Sequence, residues 1–402
     1  MATLKKITLL CALFLGLTLF LNVILPISGL QVVSQSISSA GTINYPSVGI
    51  SWLHTSGIYI YNDDGRKVNL YCINFHYGGG QGLTLSDIQL TKALGFNAFR
   101  LHVYWGLIQP FNETSQGIDL TYFTTGKAPL NRGLDEVVNW AVQENMFFII
   151  NLAWTQTWGP PSWAFSGISD DGQRCEVLIS NAASKERTGI INTWKFIAER
   201  YKNVPNVLFE FLNEPYVSDV SLAGNAYKSF NEQIISAIES VETQSHLKII
   251  ELLVSSPTYE EVIDTAVDVN KANVLWATHR YNPMTDWDPN GSYYHGSFTW
   301  HGQYFSAGWG NGTTYVAWRI IRCAEKIHSW NKPWINTEFG KVITQTNWQV
   351  WFDVVLRTKA EYNVTGWALW CYCHDPNAEA GWNINDQPTR QQIMSQISPY
   401  MV

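Results

Sequence analysis

The chain has 402 residues, a formal net charge of -7 and only 15% charged residues. It carries no long basic run, which argues against a nucleic-acid-binding protein and against a protein that binds anionic membrane surfaces. Its length suits one large domain after a short leader. The 19 tryptophans exceed what a core usually needs, and several lie in Gly-, Asn- and Ser-rich segments that are predicted to be loops.

The first 40 residues have the pattern of a targeting segment. Lys5 and Lys6 precede an apolar run over residues 7–25, and a Ser-rich stretch follows up to Ala40. Such a run predicts an export signal, with residues 38–40 as a small-residue cleavage site, or a retained membrane anchor. We therefore expect a leader and linker over residues 1–40, the main domain over residues 41–402, and a secreted or membrane-anchored protein.

Cysteines and glycosylation sequons are compatible with export. Five cysteines follow the leader: Cys72, Cys175, Cys323, Cys371 and Cys373. An odd count leaves at least one thiol unpaired, and no pair has the spacing of a zinc site. Asn-x-Ser/Thr sequons occur at Asn112, Asn290, Asn311 and Asn363.

In chain order, a hairpin is predicted over residues 51–70, with its turn at residues 62–65. Eight apolar runs of strand length follow, at residues 68–75, 97–101, 147–152, 207–212, 247–254, 273–278, 333–337 and 366–370. Segments of helical periodicity follow them, at residues 86–94, 134–145, 185–201, 223–242, 259–266, 313–330, 348–362 and 388–397.

Eight strands that each precede a helix predict an α/β protein of the (β/α)8 TIM barrel type, with a small N-terminal hairpin. An open doubly wound sheet is the alternative, but it usually carries a Gly-rich phosphate turn. Gly78 to Gly80 lack that spacing and are interpreted as a rim loop. In a closed barrel the first and eighth strands are neighbours, so Cys72 and Cys371 are candidates for a disulfide.

Charged side chains stand where the predicted strands end. The fourth run ends in Asn213 and Glu214, after which Pro215 stops the strand, and the seventh ends in Glu338. In a barrel these ends converge on one pocket. Two facing carboxylates suit glycoside hydrolysis, in which one donates a proton to the leaving oxygen and the other attacks or activates water. Their separation, which distinguishes retaining from inverting enzymes, is not set by sequence.

These strand ends resemble glycoside hydrolase family 5, a family of cellulases and mannanases with retaining (β/α)8 barrels. The resemblance covers residues 68–371 and is most specific at Leu212-Asn213-Glu214-Pro215 and Thr337-Glu338-Phe339-Gly340. It implies that Glu214 is the acid/base and Glu338 the nucleophile. Physically, the acid is expected to keep its proton in a dry, Trp-lined pocket, whereas an adjacent arginine keeps the nucleophile ionised.

The resemblance also implies roles for the substrate-binding residues. Asn213 would hold the sugar 2-hydroxyl, and Arg100 would orient Glu338 and keep it ionised. Tyr281 would donate a hydrogen bond to Glu338, while His279 would lie beside Glu214. Trp370 would form the floor of the -1 subsite.

One position departs from the family pattern. Many members place a histidine at the end of the third strand, where this chain has Ala153 and Trp154. The -1 subsite must then be completed by another side chain, for which Trp154, His76 and His102 are the candidates. The departure leaves the substrate open.

Aromatic side chains in the loops are predicted to stack on sugar rings. They follow the third strand and the sixth strand, and we expect about half to contact substrate: Trp154, Trp158, Trp163, Trp287, Tyr293, Tyr294, Trp300, Tyr304 and Trp309.

The sequence therefore predicts a secreted retaining endo-β-1,4-glucanase. A β-mannanase or another β-glycanase of the same family is the alternative, and a barrel that binds polysaccharide without cutting it is the alternative from a different class. Endo action is inferred from long loops, although loops of that length could also close a pocket. The substrate partner is a β-linked polysaccharide such as cellulose, β-glucan or mannan. The chemistry requires no metal or organic cofactor, and neither nucleic acid nor an obligate protein partner is expected.

Overall fold

The computed structural model describes residues 50–76, 82–154, 159–255, 260–281, 298–300, 303–305, 312–345, 348–375, 377 and 379–401, with side chains excluded at residues 298–315. The chain divides into two units, Met1–Ser39 and Ala40–Val402, and the description concerns the second. The predicted leader lies outside the described residues. Within the described part of the chain, no helix combines the length and hydrophobicity needed to span a membrane.

Eight parallel strands close into a barrel, which confirms the predicted (β/α)8 fold. The barrel strands are, in order, β3 (Leu70–His76), β4 (Ala98–Tyr104), β5 (Phe147–Ala153), β6 (Val207–Glu210), β8 (Lys248–Glu251), β10 (Val274–Tyr281), β13 (Trp334–Gly340) and β14 (Gly366–Cys373). Outside the barrel, the described residues form three two-stranded sheets. Two are antiparallel, β1 (Leu53–Ser56) with β2 (Tyr59–Asn62) and β11 (Phe298–Trp300) with β12 (Gln303–Phe305), and one is parallel, β7 (Tyr216–Val217) with β9 (Val254–Ser255).

Helices follow the barrel strands on the outside. They are α1 (Leu85–Ala93), α2 (Trp105–Ile108), α3 (Thr121–Thr124), α4 (Leu134–Gln143), α5 (Asp171–Ser180), α6 (Lys185–Tyr201), α7 (Asn225–Glu239), α8 (Gly312–Ser329), α9 (Trp348–Glu361) and α10 (Gln387–Ile397). Several begin at a polar N-cap whose side chain accepts a backbone hydrogen bond, as at Thr84, Ser184 and Asp386. Such caps satisfy N–H groups that have no partner inside the helix.

The N-terminal hairpin closes the end of the barrel opposite the site. Leu53 and Ile60 are buried in a small apolar cluster with residues near the start of the barrel strands, such as Leu70 and Leu208. The Asn273 side chain ties the hairpin down by accepting from the Thr55 N–H at 3.0 Å. The chain turns at residues 57–58, between β1 and β2, where Gly57 takes a left-handed φ of 59° that other residues rarely adopt. It turns again at the predicted residues 62–65, where the Gly65 N–H donates to the Asn62 carbonyl at 2.9 Å and Tyr61 pairs with Lys67.

The predicted helix at residues 259–266 is wrong for its described part, because residues 260–266 contain no helix. Glu261 is buried there between Arg280 and Arg319 and forms ion pairs with both. The Val262 N–H donates to the Leu253 carbonyl at 2.8 Å. These long-range partners hold the segment against the strands and leave its backbone unavailable for a helical turn.

The predicted bridge between Cys72 and Cys371 is also wrong, because both are free thiols. The pairing of β3 with β14 sets Cys72 opposite Ala368 and His76 opposite Cys373. Cys371 therefore lies closer to the carboxyl end of the barrel than Cys72, which is buried in the lower apolar cluster.

Candidate active site

The carboxyl end of β13 places Glu338 in the pocket. Every residue of this strand is buried, as is typical of a strand covered on both faces, and Glu338 is 4% exposed. Two groups donate to its carboxylate: Arg100 Nη1 at 2.6 Å and the Tyr281 hydroxyl at 2.5 Å. Burial and the negative charge of Glu338 raise the pKa of Tyr281 well above its ordinary value, so its hydroxyl stays protonated and donates.

Arg100 connects several strand ends at the centre of the site. Besides Glu338, its guanidinium donates to Glu210 at 2.5 Å, to Asn74 at 2.9 Å and to the Asn213 side-chain oxygen at 2.8 Å. Burial alone would lower the pKa of Arg100, but the charges of Glu210 and Glu338 outweigh it and raise that pKa. The group is a permanent cation with fixed direction.

Glu214 lies just after β6 in a left-handed backbone conformation, with φ of 46°. Its carboxylate Oε1 is 2.9 Å from His279 Nδ1, and its side chain is 49% exposed. Burial would raise the pKa of Glu214, but the hydrogen bond and charge of His279 outweigh it and lower that pKa. In the described part of the chain, the Glu214 carboxyl is therefore half-exposed and contacts His279, and it does not lie in the dry, Trp-lined pocket that the sequence predicted.

His279 lies between the two carboxylates. Its Nδ1 is 3.5 Å from Glu338 Oε2, and one ligand atom each from Glu214, His279 and Glu338 lie within 4.8 Å of one another. Burial lowers the pKa of His279, but Glu251, Glu338 and Glu214 raise it to about 9. The imidazole is therefore protonated at neutral pH.

Two further carboxylates were missed by the sequence analysis. Glu210 is buried and accepts from Arg100, and Glu251, 1% exposed, accepts from the Glu214 N–H at 2.7 Å. Burial, helped by the negative charges of Glu214 and Glu210, raises the pKa of Glu251 to about 8. A single acidic residue inside an otherwise apolar strand was the available signal, because such burial requires a partner.

The structure corrects one of the three candidates for completing the -1 subsite. Trp154 is fully buried, and its indole N–H donates to the Asn213 carbonyl at 2.9 Å, so it supports Asn213 from behind instead of lining the pocket. His102 Nε2 lies 3.6 Å from Glu338 Oε1. His76 lies further out, with its ring 5.0 Å from that of Trp370.

The loop aromatics divide into two sets. Trp163 is loop core, because it packs edge-on against Trp105 and donates to the Gln109 carbonyl at 2.9 Å. The others, apart from Trp154, lie outside the described residues or have side chains outside them: Trp158, Trp287, Tyr293, Tyr294, Trp300, Tyr304 and Trp309.

Two groups of side chains in the described part of the chain have ligand atoms close enough for a cation: Glu210 with Glu251 and His279, and Glu214 with His279 and Glu338. Both depend on His279. A metal would have to displace the proton that this imidazole, with its pKa raised to about 9, carries at neutral pH. The arrangement suits proton transfer and hydrogen bonding.

A parallel barrel that presents two carboxylates, one held by arginine and tyrosine and the other by a histidine, defines a glycoside hydrolase. The chain belongs to the cellulase family, glycosyl hydrolase family 5, whose pattern matches residues 61–375. This confirms the family resemblance and the assignment as an enzyme.

Relatives and solved structures agree with this membership. The chain is 28% identical over 231 residues to the cellulase/esterase CelE of Acetivibrio thermocellus, a match that covers 54% of this chain and 25% of the relative. Matches to three of the curated relatives span only 22% to 42% of their lengths.

Thermotoga maritima Cel5A has the same fold. Its complex with cellobiose gives a TM-score of 0.60 at 16% identity and covers 83% of this chain and 98% of that one. Its complex with mannotriose gives 0.55 at 16% identity and covers 82% and 97%.

Proposed function

We propose that this chain is a retaining endo-β-1,4-glucanase, with Glu338 as nucleophile and Glu214 as acid/base. The observation that carries the proposal is the closeness of these two side chains: one oxygen of the Glu214 carboxylate lies within 4.8 Å of one oxygen of the Glu338 carboxylate. Retaining glycosidases hold their carboxyl groups about 5 to 5.5 Å apart, whereas inverting enzymes leave about 6.5 to 9.5 Å for a water molecule.

In the first step Glu338 attacks the anomeric carbon and forms a covalent glycosyl-enzyme. Arg100 and Tyr281 hold one carboxylate oxygen each, which leaves the nucleophile in a fixed direction. Preorganised donors of this kind need no rearrangement during the reaction. When Glu338 bonds to the sugar, its carboxylate loses negative charge and both hydrogen bonds weaken. They strengthen again as the second step restores the carboxylate, which favours breakdown of the intermediate.

Glu214 must be protonated when the leaving group departs, although its pKa is lowered in the free enzyme. A bound glycan would cover the half-exposed carboxyl and exclude water, which raises the pKa of a carboxylic acid. His279, 2.9 Å away and protonated at neutral pH, is the nearby proton source. In the second step Glu214 would accept a proton from the attacking water.

Asn213 is oriented for substrate by its neighbours. Its side-chain oxygen accepts from Arg100 at 2.8 Å, which directs the amide N–H groups away from the guanidinium. Trp154 fixes the same residue through its backbone carbonyl. The free N–H groups are suited to donate to the 2-hydroxyl of the sugar, a contact that strengthens in the transition state of glycosidases.

The choice of glucan rests on family membership and on the endoglucanases among the similar proteins. A β-mannanase is the second candidate, and one neighbouring structure is a mannotriose complex. A non-catalytic polysaccharide-binding barrel remains the candidate of a different class, but binding alone requires no paired carboxylates. We further propose that residues 1–40 direct export or anchor the enzyme at the membrane, and that residues 41–402 form the catalytic domain.

The test is release of reducing ends from carboxymethyl cellulose, barley β-glucan and mannan, with the product anomer followed by NMR. The β-anomer should form first, and glucans should be cut faster than mannan. Glu338→Gly should reduce release by at least about a thousandfold while glycan binding persists. An α-anomeric first product would contradict retention, and no release from any polysaccharide would favour the non-catalytic alternative.

A further inference from the structure

Four side chains form a cluster beside the pocket, and one of them, His76, is also a candidate for the -1 subsite. Cys371 and Cys373 lie near the end of β14, and Glu379 lies in the loop after that strand. His76 is the last residue of β3. The two sulfurs are 3.8 Å apart, and Cys373 Sγ is 3.7 Å from His76 Nδ1. The same Nδ1 is 3.2 Å from Glu379 Oε1. The Cys373 sulfur and the Glu379 carboxylate therefore share one ring nitrogen of His76.

His76 contacts the Cys373 sulfur, as does the base that activates a thiol, and the Glu379 carboxylate beside the same ring nitrogen favours the protonated imidazole. The hydrogen bond with Cys371, followed by the contact with His76, lowers the pKa of Cys373 to about 6. Burial lowers the pKa of His76, but Cys373 and Glu379 raise it to about 9. At neutral pH the pair is a thiolate and an imidazolium.

The other cysteines of the barrel provide a contrast. Cys72, Cys175 and Cys323 are buried, and that burial raises the pKa of each thiol. Burial likewise raises the pKa of the Cys371 thiol, whereas the pKa of Cys373 is lowered toward the thiolate, which is the reactive form. Among the described residues, Cys373 is thus the one activated thiol, with the Cys371 thiol in contact.

We propose that Cys373 is a peroxide-sensitive modification site that is resolved by Cys371 as a disulfide. The Cys373 thiolate attacks one oxygen of hydrogen peroxide, so that an S–O bond forms and the O–O bond breaks. The departing hydroxide takes the proton of the His76 imidazolium and leaves as water. The product is a sulfenic acid, the first step of cysteine oxidation.

Cys371 completes the reaction. Its sulfur attacks the Cys373 sulfur, the S–S bond forms, the S–O bond breaks, and the departing hydroxide takes the Cys371 proton as a second water. Two thiols have lost two electrons to one peroxide. The sulfurs must approach from 3.8 Å to the bonded distance of about 2.05 Å, which requires movement of the strand end.

That movement would reach the substrate pocket. Trp370 precedes Cys371 directly, and its ring lies 5.0 Å from that of His76. Oxidation should therefore reduce glycan hydrolysis reversibly. Both sulfurs are buried and the His76 side chain is 35% exposed, so a small oxidant is favoured over bulky thiol reagents.

The proposal is tested on the full chain in chelator-containing buffer. The protein is treated with hydrogen peroxide, unfolded in N-ethylmaleimide and mapped by mass spectrometry. The peptide with Cys371 and Cys373 should lose two hydrogen atoms and escape alkylation, while Cys72, Cys175 and Cys323 are alkylated. In Cys371→Ser, dimedone added during unfolding should label Cys373. Equal oxidation of Cys175 or Cys323, or free thiols at both positions after treatment, would overturn the proposal.

A second variant tests the activating histidine without relying on hydrolysis. His76→Asn should slow oxidation of Cys373 about tenfold or more, because the thiolate loses its cation. His54→Asn, on the exposed face of the hairpin, is the matched control and should oxidise like the parent. Oxidation of a folded His76→Asn variant at the parent rate would show that His76 does not activate the thiol.

Discussion

The backbone N–H of Glu214 donates to the side chain of Glu251, with 2.7 Å between nitrogen and oxygen. The bond joins the loop after β6 to the last residue of β8, and it holds Glu214 in its left-handed conformation. The Glu251 carboxyl, which is only 1% exposed, thus fixes the direction of the Glu214 carboxyl.

Glu251→Gln is expected to change how stability depends on pH. Burial, with Glu214 and Glu210, raises the pKa of Glu251 to about 8, so the native state binds this proton more tightly than the unfolded chain. The free energy of unfolding must then decrease through this group as pH rises from about 4.5 to about 8. Glutamine keeps an acceptor for the Glu214 N–H but removes the titration.

Denaturant unfolding at pH 5 and pH 8 measures the effect. The variant should gain on the order of 1–5 kcal/mol relative to the parent between these two pH values. Glu136→Gln, at an exposed position of α4, is the control and should show no such gain. If the free energy of unfolding changed equally with pH in Glu251→Gln and in the parent, a raised pKa at Glu251 would be contradicted.

Glu214→Gln is expected to make the rate depend on the leaving group. An amide cannot protonate a poor leaving oxygen, so hydrolysis of cello-oligosaccharides should fall by about 100-fold or more. A dinitrophenyl cellobioside, whose leaving group needs no proton, should still form the glycosyl-enzyme rapidly. Pre-steady-state release of dinitrophenol checks this. If Glu214→Gln lost both the dinitrophenol burst and the hydrolysis of cello-oligosaccharides, Glu214 would not be the acid.

Tyr281→Phe is expected to lower kcat/KM by about 10- to 100-fold, because one charge-assisted hydrogen bond to Glu338 is lost. Tyr372→Phe removes a similar hydroxyl, which donates to Asp87 at 2.6 Å, and serves as the control. It should reduce stability while leaving kcat/KM near the parent value. Initial rates on cellotetraose and thermal melts of both variants separate the two effects. Equal losses of activity would indicate a general packing effect.

Ile60→Ala tests whether the hairpin stabilises the barrel. Ile60 is fully buried beneath the strands, and replacing such a side chain with alanine typically costs about 2–5 kcal/mol. Val350→Ala, at a position that is 52% exposed, should change stability by no more than about 0.5 kcal/mol. Urea unfolding provides both values. A loss below about 1 kcal/mol for Ile60→Ala would mean that the hairpin contributes little.

The sequence was sufficient for the barrel and for the strand ends, because buried parallel strands are continuous apolar runs and the first polar residue after each run is visible. Asn213, Glu214 and Glu338 stand at such positions. The prediction of a helix at residues 259–266 failed because Glu261 forms ion pairs with Arg280 and Arg319. These residues are distant in sequence, so local periodicity does not reveal them.

The roles of Trp154, His102 and Glu251 depended on the tertiary structure. Trp154 was expected to line the pocket because tryptophan in a loop resembles a sugar platform, but its indole is buried behind Asn213. His102 and Glu251 lie inside the buried strands β4 and β8, and nothing local shows which side chains each of them meets across the barrel. The sequence by itself determined which chemical groups stand at the strand ends, since composition and periodicity are local properties. Only the closed barrel decided which groups share a proton or a hydrogen bond, because those contacts join strands far apart in the chain.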